Sequence, residues 1–352
     1  MRVNEVINSR SVAISAESEV KTDYLGRAFF PEKKKAGLDL KWIVRNGGLP
    51  VSLAPSNFDT LPVIRTRGNV DVMKTEMPFF RETSIVTETD ANEIDRAVDA
   101  GDPFLASALA SIYNDTNNLV ASANVVAERM RMQLLATTNG HPTIGISADG
   151  VTYAYDYDPN GTYAAAHYVK LTGNSAWSDT TNSTPITDLN TAKRNLRTAG
   201  RVAKYALMNS NTFAYLLNND QVKNCIISAT GLNITDVDDN TAKNVIKART
   251  GLDILLYDEQ YLDASGNAQY FYPNDKVTLI AEGGLGSTWY GTTPEERTAR
   301  NNANVDVSIY GTGVAIAVKT DYGPPEIDTI TASEIVLPSY ENMNGTYVLE
   351  VA

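Results

Sequence analysis

The sequence predicts an α+β protein organised around one unusually long helix. Three observations carry this reading. A helical stripe runs for more than thirty residues in the first half of the chain; short alternating, proline- and glycine-punctuated runs precede it; and short helices and strands alternate after it, closing on a strand-like C-terminal part.

The long helix is the strongest signal. Asp102 fits an N-cap and Pro103 the first helical position. From there Leu105, Leu109, Ile112, Thr116, Leu119, Ala123, Val126, Met130 and Leu134 follow at spacings of three and four as far as Thr137, and Asn139-Gly140 ends the run. Such a helix is a rod of about 50 Å at 1.5 Å per residue, much longer than the usual globular helix. Thr116 and Ala123 weaken the stripe as a coiled-coil seam. The flanking small residues (Ala106, Ser107, Ala108, Ala110, Ser111) suit a helix lying across a sheet.

Before this helix the chain reads as extended arm and loop. Leu38–Val44 and Leu61–Arg67 are strand candidates, and Gly47, Gly48, Pro50, Pro55 and Pro62 punctuate the segment between and beside them. Such an element buries little by itself and is expected to pack against something else.

After the helix, residues 142–172 alternate in strand fashion around Tyr153, Tyr155, Tyr157, Tyr163 and Tyr168, and a polar loop surrounds Trp177. A helix is expected from Asp188 to about Gly200, capped by Thr187 or Asp188, then a strand over 202–208, a short helix capped by Ser210 and running through Leu217, and a helix over 241–249 capped by Asp239 or Asn240. Strands are expected at 253–257, 277–281, 288–290, 305–318 and 335–337, with a hairpin over 261–272 turning at Asp263–Asn267. At 352 residues the chain fits two domains, or one with a large insertion.

Hydrophobic residues make up 43% and charged residues 20%, the balance of an ordered globular protein. The formal net charge of -12 opposes general binding to nucleic acid, where Lys and Arg must displace counterions from phosphates. The dense basic run Lys33-Lys34-Lys35 reads as a solvated loop. Cys225 stands alone, so no intrachain disulfide is expected. The start lacks the apolar run of a secretory signal, and no stretch approaches the roughly 20 apolar residues of a membrane span; a cytoplasmic site of folding is expected.

Chemical motifs are weak. Asp156-Tyr157-Asp158-Pro159-Asn160-Gly161 matches the first half of a calcium loop, but His167 stands where the bidentate Glu belongs, so a Pro-Asn-Gly turn is the better reading. Asp236–Asn240 fails in the same way. His141 and His167 lack partners at zinc spacing. Gly283–Ser287 reads as a turn, and Glu295-Glu296-Arg297 as a chance pairing in a chain with 42 acidic residues. No catalytic residue, cofactor site or metal site is expected.

Several stretches, in order along most of the chain, resemble the lambda-like major capsid protein E family of tailed bacteriophages. They are Tyr24-Leu25-Gly26-Arg27-Ala28-Phe29-Phe30-Pro31, Val63-Ile64-Arg65-Thr66-Arg67-Gly68, Met77-Pro78-Phe79-Phe80-Arg81-Glu82, the helix end Glu128–Leu135, the Trp177 loop, Tyr205–Asn209 and Tyr272–Val277. The resemblance implies an N-terminal arm (1–35), an extended loop (36–89), a peripheral domain with a spine helix near 103–137 (90–200), an axial domain (201–304) and return strands (305–352). It implies a structural subunit assembling with itself into hexamers and pentamers of an icosahedral head around double-stranded DNA. Portal, scaffolding and possible decoration proteins would be its partners, with only weak, non-specific contact to the packaged DNA and none to membranes. Phe29, Phe30, Phe79 and Phe80 are then either aromatic anchors between subunits or core residues, and Arg65, Arg67 and Arg81 are candidate partners for acidic neighbours. A cargo-holding, encapsulin-like nanocompartment shell and a β-rich carbohydrate-active enzyme are the rival readings.

Overall fold

A computed structural model describes residues 8–44, 71–90, 92, 104–148, 151–231, 238–302, 306–321 and 327–352. In chain order the elements begin with α1 (Ser9–Glu19), α2 (Gly26–Phe29), β1 (Glu32–Lys34), β2 (Asp39–Val44), β3 (Asp71–Glu76), β4 (Phe79–Val86) and the spine helix α3 (Phe104–Ala136). Then come β5 (Thr143–Ala148), β6 (Val151–Asp156), α4 (Thr162–His167), β7 (Tyr168–Lys170), α5 (Pro185–Thr198), β8 (Ala203–Met208), α6 (Ser210–Asn218), α7 (Asp220–Thr230) and α8 (Asp239–Thr250). The last are β9 (Asp253–Leu256), β10 (Gln260–Leu262), β11 (Ala268–Tyr270), β12 (Lys276–Ala281), β13 (Gly286–Tyr290), α9 (Pro294–Asn301), β14 (Asp306–Tyr310), β15 (Val314–Asp321), β16 (Ile327–Tyr340) and β17 (Thr346–Glu350).

The chain forms two compact units. One comprises Met1–Lys41, Lys74–Arg131 and Gly286–Ser339; the other comprises Trp42–Met73, Met132–Leu285 and Tyr340–Ala352. The paired strands β2 and β3, and the helix α3, each run through a division point.

The first unit is built on a sheet ordered β1-β13-β16-β15-β14, with β4 also paired to β16. The 14-residue β16 takes β15 from Asp321↔Ile327 to Ala315↔Ser333, and β4 from Val86↔Asp328 to Phe79↔Ile335. Helix α1 closes one side. Its N-cap Asn8 and Ser11 form a reciprocal capping box, and Ser9 donates through its N–H (2.7 Å) and hydroxyl (2.6 Å) to Asp306. Val12, Ala13 and Ala16 then pack with Val120 and Ala123 of α3 and with Tyr310, Val314 and Ile316. The extended arm expected here is therefore helical over Ser9–Glu19.

The second unit has a sheet ordered β7-β17-β12-β8-β9, and helices α5–α8 send Leu189, Leu196, Phe213, Ile226 and Ile246 into one core with Leu279 and Leu349. Trp177 is fully buried there; its indole donates to Asp188 at 3.0 Å and its N–H to the Val351 carbonyl at 2.6 Å. Helix α5 starts three residues before the expected start at Asp188, with Pro185 at the first position and Thr184 as its N-cap. The cap of α6 is Asn209, not Ser210, and that of α8 is Asp238, not Asp239 or Asn240. Helix α4 interrupts the expected strand region at 142–172. The hairpin turning at Asp263–Asn267 forms as expected, from Gln260↔Tyr270 to Leu262↔Ala268. The strand candidate at 61–67 and the helix start Asp102-Pro103 lie outside the described residues.

Candidate functional site

Polar side chains in the first unit converge on Arg131, on the inner face of α3. Arg131 is 2% exposed and Glu128, one turn earlier, is fully buried. The guanidinium donates through Nε to Thr288 Oγ1 (2.9 Å), through Nη1 to Glu128 Oε2 (3.3 Å) and through Nη2 to Glu32 Oε1 (3.1 Å). The Thr288 hydroxyl in turn donates a hydrogen bond to the Phe30 carbonyl at 2.9 Å. Glu32 also holds Arg27 (2.9 Å) and the Thr312 hydroxyl (2.8 Å). The Gly26 N–H donates to Glu128 Oε1 at 2.9 Å, and a Cβ on Gly26 would stand 2.6 Å from Glu128 Oε2, so only glycine lets the backbone approach this closely. Burial works against the charge of Arg131, but Tyr290, Glu128 and Glu32 together hold its pKa above the ordinary arginine value.

Glu334 of β16 lies in the same interior at 1% exposure, and neither carboxyl oxygen has a partner among the described residues. Burial holds its pKa well above the usual carboxylate range against the pull of Arg131. The network thus clamps α2, β1, α3 and β13 together beside an acid whose burial disfavours its charged form. It braces the interior, and Arg27, Glu32, Arg131, Tyr290 and Thr312 also line a pocket of about 150 Å3.

The expected interface residues are dispersed. Phe29 and Phe30 are interior, at 6% and 0% exposure, and α2 seats them beside β13. Their burial is that of the core placement which the sequence left open beside the anchor reading. Phe79 and Phe80, at the start of β4, are half-buried, and Arg81 is exposed. Arg81 lies 4.7 Å from the centre of the Phe79 ring and pairs with Glu295, which also accepts from the Ser333 hydroxyl at 2.7 Å. Arg65 and Arg67 lie outside the described residues.

The residues weighed for chemistry have structural work. Asp158, 3% exposed, accepts from the N–H groups of Thr162 (2.9 Å), Tyr163 (2.9 Å) and Ala164 (3.0 Å) and from the Thr162 hydroxyl (3.0 Å). His141 Nδ1 stands 4.0 Å from it. His167 is stacked on Tyr163 at 5.1 Å, and burial depresses its pKa. Glu296 is held by Lys34 at 2.8 Å and by Arg300. Among the described residues no group of three or more His, Cys, Asp or Glu could hold a metal ion, and no helix is long and apolar enough to cross a membrane.

The family model of the phage major capsid protein E matches residues 12–320. The chain belongs to the phage major capsid protein E family.

It is a structural protein of the phage shell. Two solved structures share its fold. A phage-related protein from Bordetella bronchiseptica RB50 is 12% identical, with 100% of this chain and 98% of that one covered and a TM-score of 0.56. A candidate capsid protein of a prophage of E. coli CFT073 is 14% identical, with 98% and 99% covered and a TM-score of 0.58. The capsid subunit of cyanophage A-1(L) is 12% identical over 95% and 96%, with a TM-score of 0.47. No curated protein matches. The α+β architecture of this capsid protein is shared with the Bordetella and E. coli prophage proteins. What sequence reasoning missed is the buried ionic brace. Glu128 and Arg131 stand at i and i+3, which reads equally as a solvated surface pair.

Proposed function

We propose that copies of this capsid protein assemble as hexamers and pentamers into an icosahedral head that encloses double-stranded DNA. Its work in this reading is mechanical rather than enzymatic. The family match across residues 12–320 is the observation that carries the proposal. The segment 36–89 packs over an adjacent subunit, with Phe79, Phe80, Arg81, Arg65 and Arg67 at that contact. Portal and scaffolding proteins are the further partners, and assembly takes place in the bacterial cytoplasm. A subunit with a rigid ionic brace suits this work, because heterologous contacts close into rings or propagate as lattices only when each subunit presents the same geometry.

The test is particle size, by sedimentation and negative-stain microscopy, for the chain co-expressed with its neighbouring phage genes. Uniform hollow shells, or free hexamers and pentamers, are expected. Deletion of residues 47–61 is expected to leave a folded subunit that forms no shells. A stable monomer from the intact chain, or normal shells from the deletion, would overturn the reading.

A further inference from the structure

Charge is unevenly distributed along this acidic chain. Between Pro185 and Leu252 stand nine basic residues and five acidic ones, although the whole chain carries 30 basic against 42 acidic. That segment supplies the helices α5, α7 and α8 of the second unit. Three of the five acids, Asp188, Asp220 and Asp238, are used locally: Asp188 accepts from Trp177, Asp220 lies in the first turn of α7, and Asp238 caps α8.

Of the nine basic residues, Lys204 and Lys247 are paired with Glu282 and Asp253, whereas Lys193, Arg194 and Arg197 line, with Thr187 and Asn190, an open groove of about 420 Å3 on α5. Arg194 and Arg197 are exposed, one turn apart, and neither forms a salt bridge among the described residues. Among the described residues Arg194 donates to the neighbouring Thr191 hydroxyl alone, at 3.0 Å. Lys193 reaches the Thr250 carbonyl at the end of α8.

We propose that this groove binds the phosphodiester backbone of nucleic acid, and that the helical layer of the second unit is the surface this capsid protein turns toward packaged DNA. The lining decides the class of partner. A protein-binding surface centres on desolvated aromatic or aliphatic anchors, and this groove has none. It offers instead forked guanidinium donors, an ammonium, a hydroxyl and an amide, the set that contacts phosphate oxygens without reading sequence. The strong negative charge elsewhere limits this contact to one face, so that DNA is held without being wrapped. The clause about packaged DNA rests on the shell reading; binding by the groove does not.

The experiment is a titration of the purified full-length chain with a labelled random-sequence DNA duplex over a range of salt. Each phosphate contact contributes a slope of about -0.9 in log K against log salt. The intact chain is expected to bind with a slope near -3, and the triple variant K193Q/R194Q/R197Q to lose tenfold or more in affinity, with a slope shallower by about 2 to 3. A control removing three exposed lysines elsewhere, K41Q/K74Q/K319Q, is expected to change the slope little. Equal losses in both triple variants would overturn the groove assignment. So would absence of DNA binding by the intact chain, or binding of the groove to a second copy or to an acidic peptide in place of DNA. Shells are scored separately by microscopy. DNA-binding subunits that never form shells would sink the shell reading alone, and shells indifferent to the groove mutations in DNA binding would sink this one alone.

Discussion

Arg131 and Glu128 face each other one helical turn apart, 3.3 Å between Nη1 and Oε2, with both side chains sealed from water. A buried pair of this kind contributes little net stability over an apolar replacement, yet removing one partner strands the other charge. Arg131→Ala leaves both Glu128 and Glu32 without their common donor. The expected loss is about 3–5 kcal/mol in urea unfolding, whereas Glu128→Gln combined with Arg131→Met is expected to cost clearly less than the sum of the single changes. Additive losses would show that the two residues do not act as one unit.

Glu334 makes stability depend on pH in a defined direction. Its folded-state pKa is raised well above the ordinary value by burial, so the folded chain holds a proton that the unfolded chain releases. Stability is therefore full below the unfolded pKa, near 4.3, and falls as pH rises from there toward the folded pKa. Glu334→Gln removes the proton from the balance while keeping the shape. Unfolding midpoints of the variant and the parent are expected to agree near pH 4 and to diverge in favour of the variant toward pH 8. Parallel curves over that range would refute the assignment.

These two residues mark where the sequence stops being legible. The spine helix could be read because its buried positions Thr116, Leu119, Ala123, Met130 and Leu134 recur at helical spacing. Nothing local distinguishes Glu128 and Arg131 from solvated charges; their burial comes from Glu32 and Thr288, far away in sequence. Phe29-Phe30 and Phe79-Phe80 are alike as sequence, yet the first pair is interior and the second half-buried. Helix α1 hides because Val12, Ala13 and Ala16 form a short stripe of mostly small residues, which gains its stability from packing on Tyr310 and Ile316.

Gly286 tests the close packing of β13 on β16. A Cβ there would fall 1.8 Å from the Ser339 carbonyl oxygen, a backbone atom that no side-chain rotation can move. Gly286→Ala is expected to destabilise the subunit by about 3 kcal/mol or more, lowering the yield of soluble protein and the melting temperature. The exposed Gly266→Ala, with no atom within 4 Å of its added Cβ but a φ of 78°, is expected to cost only about 1 kcal/mol. Equal effects at the two positions would show that crowding at β16 is not the cause.

Asp158 separates a turn from a calcium site. Its carboxylate already accepts four hydrogen bonds from Thr162, Tyr163 and Ala164. A cation would have to displace these donors. Neither EDTA nor millimolar calcium is expected to move the melting temperature, while Asp158→Ala is expected to cost about 2 kcal/mol by leaving buried donors unpaired. A calcium-dependent rise in melting temperature that Asp158→Ala abolishes would restore the metal reading.

Arg81 distinguishes subunit stability from assembly. It is exposed, stacked over Phe79 and paired with Glu295. An exposed pair contributes at most about 1 kcal/mol, so Arg81→Ala is expected to leave the subunit's unfolding almost unchanged. If Arg81 also meets an acidic neighbour at the shell contact, the same change removes a donor from an interface repeated through the whole shell, where small losses multiply. Shell yield by sedimentation is then expected to fall severalfold while the unfolding midpoint holds. Arg81→Glu is expected to abolish shells outright, since it sets like charges against each other across the contact. Wild-type yields from both variants would remove Arg81 from the interface and leave its pairing with Glu295 as its whole role.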